Sequence, residues 1–330
     1  MKITQYQKGS DWPEFASFAA HPLQDGTPRR AEMYICTPSA GITADTGMLL
    51  VNHNWGGTWE MCSAWCPILA DAFDVITIDV NYYQSGWRAG DGAYDSGVIQ
   101  TMDCLRALYE VRQYAAENHI LYDPRRTFAC GASGGGNVSL MLNKFAPHTF
   151  ACIIDLCGMV FTEDIAFGTG TLYAEYSRDP ASPAYLAPEM LDIRNLANPE
   201  HLAFQYRCNP ENKIIIVHGA EDGSCPCPDK VRVLEALLRA GFQPEFHLIT
   251  RATSDGKIFT APDHQLGDRP AIIVQVGKEF IAPDEKFAKR LNSDDDFIRK
   301  SRIVYPVSGG NYTIDYSKGS PEISSTSGRL

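Results

Sequence analysis

From about residue 45 the chain alternates two patterns. The first is a set of short, almost continuously apolar runs: Met48–His53 (MLLVNH), Val75–Val80 (VITIDV), Arg126–Cys130 (RTFAC), Phe150–Leu156 (FACIIDL), Lys213–His218 (KIIIVH) and Glu245–Thr250 (EFHLIT). Such runs predict strands of a parallel sheet buried on both faces. Amphipathic stretches lie between them. Thr58–Ala72 puts Cys62, Trp65 and Leu69 on one helical face, and Ser96–Asn118 repeats Val98, Met102, Leu105 and Leu108 at helical spacing. Gly135–Phe145 and Lys230–Ala240 continue the theme, and a last helix is expected near Ala271–Ile281. The order βαβα predicts an α/β fold with right-handed crossovers. Lys2–Gln7 and Ala31–Thr37 are expected to add antiparallel edge strands.

The rhythm breaks in residues 157–212, where Pro, Gly and Tyr are scattered and only Pro188–Leu196 has weak helical character. A structureless loop of that length does not suit the inside of a domain, so the segment is expected to be a cap or lid inserted into one domain spanning residues 1–330. Residues 292–330 are expected to hold a C-terminal hairpin and a tail. Apolar residues alternate over Arg302–Tyr316 around a Ser-Gly-Gly-Asn turn, and KGSPEISSTSGRL reads as disordered.

Composition then removes several functions. With 40 acidic and 29 basic residues the net charge is −11, the wrong sign for following a phosphate backbone, so nucleic-acid binding is not expected. No apolar run reaches the length of a membrane helix, and the N-terminus lacks a signal peptide's apolar core. A soluble, cytoplasmic protein is expected. The ten cysteines, spread over a chain long enough to stabilise itself by burial, read as reduced core thiols.

The sharpest chemical signal is Gly131-Ala132-Ser133-Gly134-Gly135. It follows the strand RTFAC and opens a helix, the context of a G-x-S-x-G nucleophile elbow. A serine on a strained turn needs neighbours without side chains, and the helix behind it places partial positive charge where an oxyanion forms. A phosphate loop is the competing reading, because Gly131 and Gly136 have its spacing. It fails because Asn137-Val138 stands where Lys-Ser/Thr would hold phosphate and magnesium.

With these residues the chain resembles the α/β-hydrolase superfamily, above all its stand-alone esterases and the catalytic domains related to prolyl oligopeptidase and dienelactone hydrolase. Three further matches carry the resemblance. His53-Asn54-Trp55-Gly56-Gly57 follows an early strand where the family has an H-G-x-G-type oxyanion loop, with Asn54 in place of the usual glycine. Tyr122-Asp123-Pro124-Arg125-Arg126 precedes the elbow strand as a D-P-x-R-type lead-in. His218-Gly219-Ala220-Glu221-Asp222 matches the H-G-x-x-D whose aspartate is the triad acid.

The resemblance implies Ser133 as nucleophile, Asp222 as acid with Glu221 as its understudy, and His264 as base, in the order Ser, acid, His. His247 lies inside a strand and reads as structural. The implied oxyanion donors are the backbone N–H groups of Gly134 and Trp55, with His53 bracing the loop. Tyr82, Tyr83, Trp87 and Tyr94 cluster in the loop after VITIDV, where they suit either stacking on a substrate ring or anchoring the loop. Cys225-Pro226-Cys227 and the Cys62/Cys66 pair lack the second half of a zinc-ligand set, so no metal is expected. The expected activity is hydrolysis of a small polar, acetylated-sugar or aromatic carboxylic ester through an acyl-enzyme, without a cofactor. Peptidase or acyltransferase activity on the same triad, or a non-catalytic binding protein on this fold, are the alternatives. The oligomeric state is left open.

Overall fold

The apolar runs form the middle of a nine-stranded sheet in the computed structural model, which describes residues 4–6, 14–168 and 172–330. The strands are β1 (Thr4–Tyr6), β2 (Phe15–Ala20), β3 (Arg29–Cys36), β4 (Gly47–Asn52), β5 (Val75–Val80), β6 (Thr127–Ala132), β7 (Cys152–Leu156), β8 (Lys213–Gly219) and β9 (Glu245–Ile249). Their spatial order is β1-β2-β3-β5-β4-β6-β7-β8-β9. β4 to β9 run parallel, and the first three strands are antiparallel at one edge. Sequence reasoning missed β2, whose FASFAA is dominated by small residues of poor strand propensity. Of the edge segment Lys2–Gln7, Lys2, Ile3 and Gln7 lie outside the described residues.

Every residue of β4, β5, β6 and β7 is buried because helices cover both faces. The helices are α1 (Cys66–Phe73), α2 (Val98–Glu117), α3 (Gly134–Phe145), α4 (Glu163–Phe167), α5 (Pro188–Arg194), α6 (Pro199–Cys208), α7 (Cys227–Ala240), α8 (Arg269–Ile281) and α9 (Asp296–Arg299). Alternate strand residues feed the two layers. Leu49, Val51 and Ile154 pack with Leu69 and Phe73 of α1 and Ile272 and Ile273 of α8. Leu50, Ile78 and Ile153 pack with Met102 and Leu105 of α2, Val138 of α3 and Val233 of α7. α1 starts later than the periodicity from Thr58 predicts. Pro67 suits the first turn of a helix, and the stretch before it folds only a single 3₁₀ turn, Trp59–Met61.

Residues 157–212 divide between two tasks. α6 packs back against α3 and α7 in the helical layer. Met159, Phe161, Ile165, Leu186 and Met190 instead form a third apolar cluster with Tyr94, Trp55 and Trp87. The C-terminal segment folds into a separate antiparallel sheet of β10 (Arg302–Val307), β11 (Gly310–Asp315) and β12 (Glu322–Ser325). β12 lies where a disordered tail was expected. It is ordered because Ile323 is buried, its N–H donates to His21 Nε2 at 3.3 Å, and Arg106 donates to the Pro321 carbonyl at 3.0 Å.

Candidate active site

Ser133 sits between β6 and α3 with φ 58° and ψ −120°, a conformation that L-residues adopt only under constraint. Its neighbours show why the turn needs glycine. A Cβ on Gly131 would fall 2.4 Å from the Gly135 carbonyl oxygen, and one on Gly135 would fall 2.0 Å from that of Asn52. The backbone of the elbow therefore rests directly on the end of β4. A Cβ on Gly134 would fall 2.7 Å from the Trp55 nitrogen, so the backbones of the two expected oxyanion donors lie side by side.

The loop bearing Trp55 is built from below. His53 hydrogen-bonds the Asn54 carbonyl at 2.9 Å through Nδ1 and Ser85 Oγ at 2.8 Å through Nε2. Burial lowers its pKa to about 4, so it is neutral and braces the loop. Asn54, in place of a glycine, is accommodated by Gly57, where a Cβ would fall 2.6 Å from the Asn54 Oδ1.

Asp222 and His264 meet at the other side of the elbow. Gly219, ending β8, lets the chain of Pro262 and Asp263 pass overhead, since a Cβ there would fall 2.4 Å from the Pro262 carbonyl oxygen. That crossing brings His264 Nδ1 to 2.8 Å from Asp222 Oδ2. The other carboxylate oxygen accepts the Ser224 and Cys225 backbone N–H groups, both at 2.8 Å. Burial pushes the Asp222 carboxyl up, but the bonds from His264 and Cys225 outweigh it and hold the group below its ordinary value. An anionic Asp222 fixes the proton on Nδ1 and leaves Nε2 as an acceptor. Glu221, the alternative acid, turns outward to pair with Arg251 at 2.8 and 2.9 Å. His247 pairs with Glu245 on β9 at 2.7 Å, as its strand position suggests.

The aromatic residues separate. Trp55 stacks on Tyr94 at 3.9 Å, and Trp87 packs edge-on against both beneath the third apolar cluster. Tyr82 must be corrected as a substrate contact. It is buried, stacks on His53 at 3.8 Å and donates its hydroxyl to the His53 carbonyl, so it anchors the oxyanion loop. Tyr83 also points elsewhere, under the Arg29 guanidinium at 4.5 Å. It lines a cavity of about 470 Å³ with Tyr176, Tyr185 and Arg194, which none of Ser133, Asp222 and His264 reaches.

Two thiols border the site that sequence reasoning did not assign. Cys225 lies against the Ser133 hydroxyl, and burial raises its pKa to about 12. Cys157, at the end of β7 with φ 44°, accepts the Gly219 N–H at 3.4 Å. Cys225 comes with the loop that carries Asp222, whereas no local pattern marks Cys157, which the end of a different strand brings here. All ten cysteines are free, and Cys225 and Cys227 belong to no metal-like cluster among the described residues.

The sequence profile of the prolyl oligopeptidase family matches residues 91–255, half of the chain. The protein belongs to the prolyl oligopeptidase family. Among solved structures, this family member is similar to the acylaminoacyl peptidase of Pyrococcus horikoshii, with 12% identity and a TM-score of 0.55. That match covers 85% of this chain and 42% of the peptidase, so the chain spans less than half the length of that relative. A Rhizomucor miehei esterase structure shares 14% identity over 81% of this chain and 82% of its own, with a TM-score of 0.53. An acetyl ester-xyloside bifunctional hydrolase of Caldicellulosiruptor lactoaceticus shares 13% over 77% and 88%, with a TM-score of 0.51. At such identities the likeness is one of α/β-hydrolase fold. No curated protein matches the sequence. No helix among the described residues is long and apolar enough to cross a membrane.

Proposed function

We propose that the protein is a serine hydrolase that cleaves small carboxylic esters by acyl transfer. The observation that carries this reading is the 2.8 Å bond between Asp222 and His264, joined to a serine on a strained elbow through Cys225, which lies against Ser133 and donates its backbone N–H to Asp222. Ser133 Oγ attacks the ester carbonyl as His264 Nε2 takes its proton, while Asp222 holds Nδ1–H and stabilises the imidazolium. The N–H groups of Trp55 and Gly134 receive the oxyanion. The tetrahedral intermediate then collapses, expels the alcohol with the proton from His264 and leaves an acyl-Ser133. Water repeats the sequence and releases the acid. The reaction needs no cofactor. The indoles of Trp55 and Trp87 beside Tyr94 favour a substrate with a flat or sugar-like face, such as an aromatic or acetylated-sugar ester.

The family also supports a second reading, peptidase activity on the same triad. Labelling with a fluorophosphonate, followed by peptide mass analysis, tests the nucleophile. The expected adduct lies on Ser133 alone and disappears in Ser133→Ala; an adduct that persists in that variant overturns the assignment. Parallel rates on p-nitrophenyl acetate and an aminoacyl p-nitroanilide separate the two readings, with faster turnover expected for the ester.

A further inference from the structure

The acid and base of the triad share their surroundings with a third group that ester hydrolysis does not use. Cys157 Sγ, a carboxylate oxygen of Asp222 and a ring nitrogen of His264 all lie within 4.8 Å of one another. Among the described residues this is the one cluster of three such side chains. The Cys157 thiol donates to the Asp263 carbonyl at 3.9 Å, one residue before His264, and lies beside the Asp222 carboxylate. From the proposed role of these residues as acid and base, we infer that Cys157, Asp222 and His264 form an inhibitory site for a soft divalent cation of the zinc class.

The donor set decides the class of ion. Thiolate and imidazole with a single carboxylate select zinc or cadmium over magnesium or calcium, which prefer all-oxygen shells. Zinc bonds of about 2.0–2.3 Å give this nitrogen, oxygen and sulfur set tetrahedral edges of roughly 3.3–3.5 Å, so the atoms, now within 4.8 Å of one another, close by about 1.5 Å at most, and the 2.8 Å Nδ1–Oδ2 edge opens slightly. Rotation of the partly exposed His264 side chain supplies that movement. His264 is 17% exposed while Cys157 and Asp222 are buried, so the ion enters from the substrate side. Water fills the fourth position.

Inhibition follows from proton accounting. The cation displaces the Cys157 thiol proton to solvent and takes the lone pair of His264 Nδ1, whose proton moves to Nε2. No electron is transferred. A histidine protonated on Nε2 donates where the mechanism needs an acceptor, so it cannot take the Ser133 proton. The ion also replaces the bond that orients the ring.

The test separates binding from catalysis. Zinc binding to Ser133→Ala is measured by competition with a chromophoric chelator, and fluorophosphonate labelling of the otherwise native enzyme is measured at buffered free zinc. The expected result is one zinc per chain in Ser133→Ala, labelling abolished by zinc and restored by EDTA. Even changes around a ligand weaken metal binding by about 10–100-fold. Cys157→Ser and His264→Ala, each built on Ser133→Ala, are therefore expected to bind zinc at least about tenfold more weakly. Cys157→Ser keeps a hydrogen-bond donor at this position in case Cys157→Ala does not fold. With Ser133 intact, the labelling of Cys157→Ser, relative to its own zinc-free rate, is expected to resist zinc concentrations that silence the native protein. Undiminished zinc affinity in Cys157→Ser, or full labelling of the zinc-loaded protein, overturns the inference. If zinc binds as described while Ser133 never labels, the metal site stands and the hydrolase reading fails.

Discussion

Two carboxylates stand next to each other at the end of β8, and only one of them faces the histidine. Asp222 accepts from His264 Nδ1 and two backbone N–H groups, whereas Glu221 points into solvent with Arg251. Asp222→Asn is therefore expected to lower kcat by about 10³–10⁴-fold, because an amide holds the wrong tautomer of the base. Glu221→Gln is expected to stay within about twofold, as an exposed ion pair contributes little. Steady-state kinetics of both variants on one ester checks the contrast. The sequence singled out this pair but could not rank it by residue chemistry, since both are acids one step apart. Ser133 was plain because its glycines are forced by backbone collisions that leave no choice of residue. Cys157 was invisible for the opposite reason. A buried thiol fits any apolar run, and its position relative to Asp222 depends on how two strand ends align.

Elements with a large-residue apolar face were legible, whereas β2, built mostly of small residues, and the elements held by individual polar contacts were not. α2 and β5 lie where their apolar pattern places them, but α9 is one turn that no periodicity announces. It is fixed by Asp296, which accepts from the His148 imidazole at 2.8 Å, the His148 backbone N–H at 2.9 Å and Thr149 Oγ1 at 2.9 Å. The Asp296 hydrogen bond, followed by one to Cys208, raises the His148 pKa to about 9. The unfolded imidazole titrates near 6.5, so the folded state binds the extra proton more tightly. Its contribution is complete below about pH 6.5, declines as pH rises and is lost above about 9. Urea unfolding at pH 6 and pH 9.5 is expected to show this as a loss on the order of 1–3 kcal/mol. In His148→Gln that part of the pH dependence is expected to vanish.

At the scale of the molecule, the C-terminal sheet behaves as part of the core. Tyr305, Tyr312 and Tyr316 are fully buried, and the Tyr305 and Tyr316 hydroxyls donate to the last carbonyls of α3. Deleting residues 292–330 is expected to lower Tm by at least about 10 °C, since three buried aromatics contribute several kcal/mol and each kcal/mol moves a domain this large by about 2–4 °C. Differential scanning calorimetry of the truncated chain measures it. The hairpin was legible from its alternation and its turn. The third strand was not, because Ser, Gly and Pro dominate its surroundings and its order comes from His21 and Arg106, far away in the chain. The contact between Ile323 and His21 spans 302 positions, and this gives the fold a schedule. At synthesis rates of about 5–20 residues per second, the His21 end of β2 leaves the ribosome roughly 15–60 s before the strand that covers it. During that interval the His21 ring waits without the backbone donor it accepts from in the finished fold.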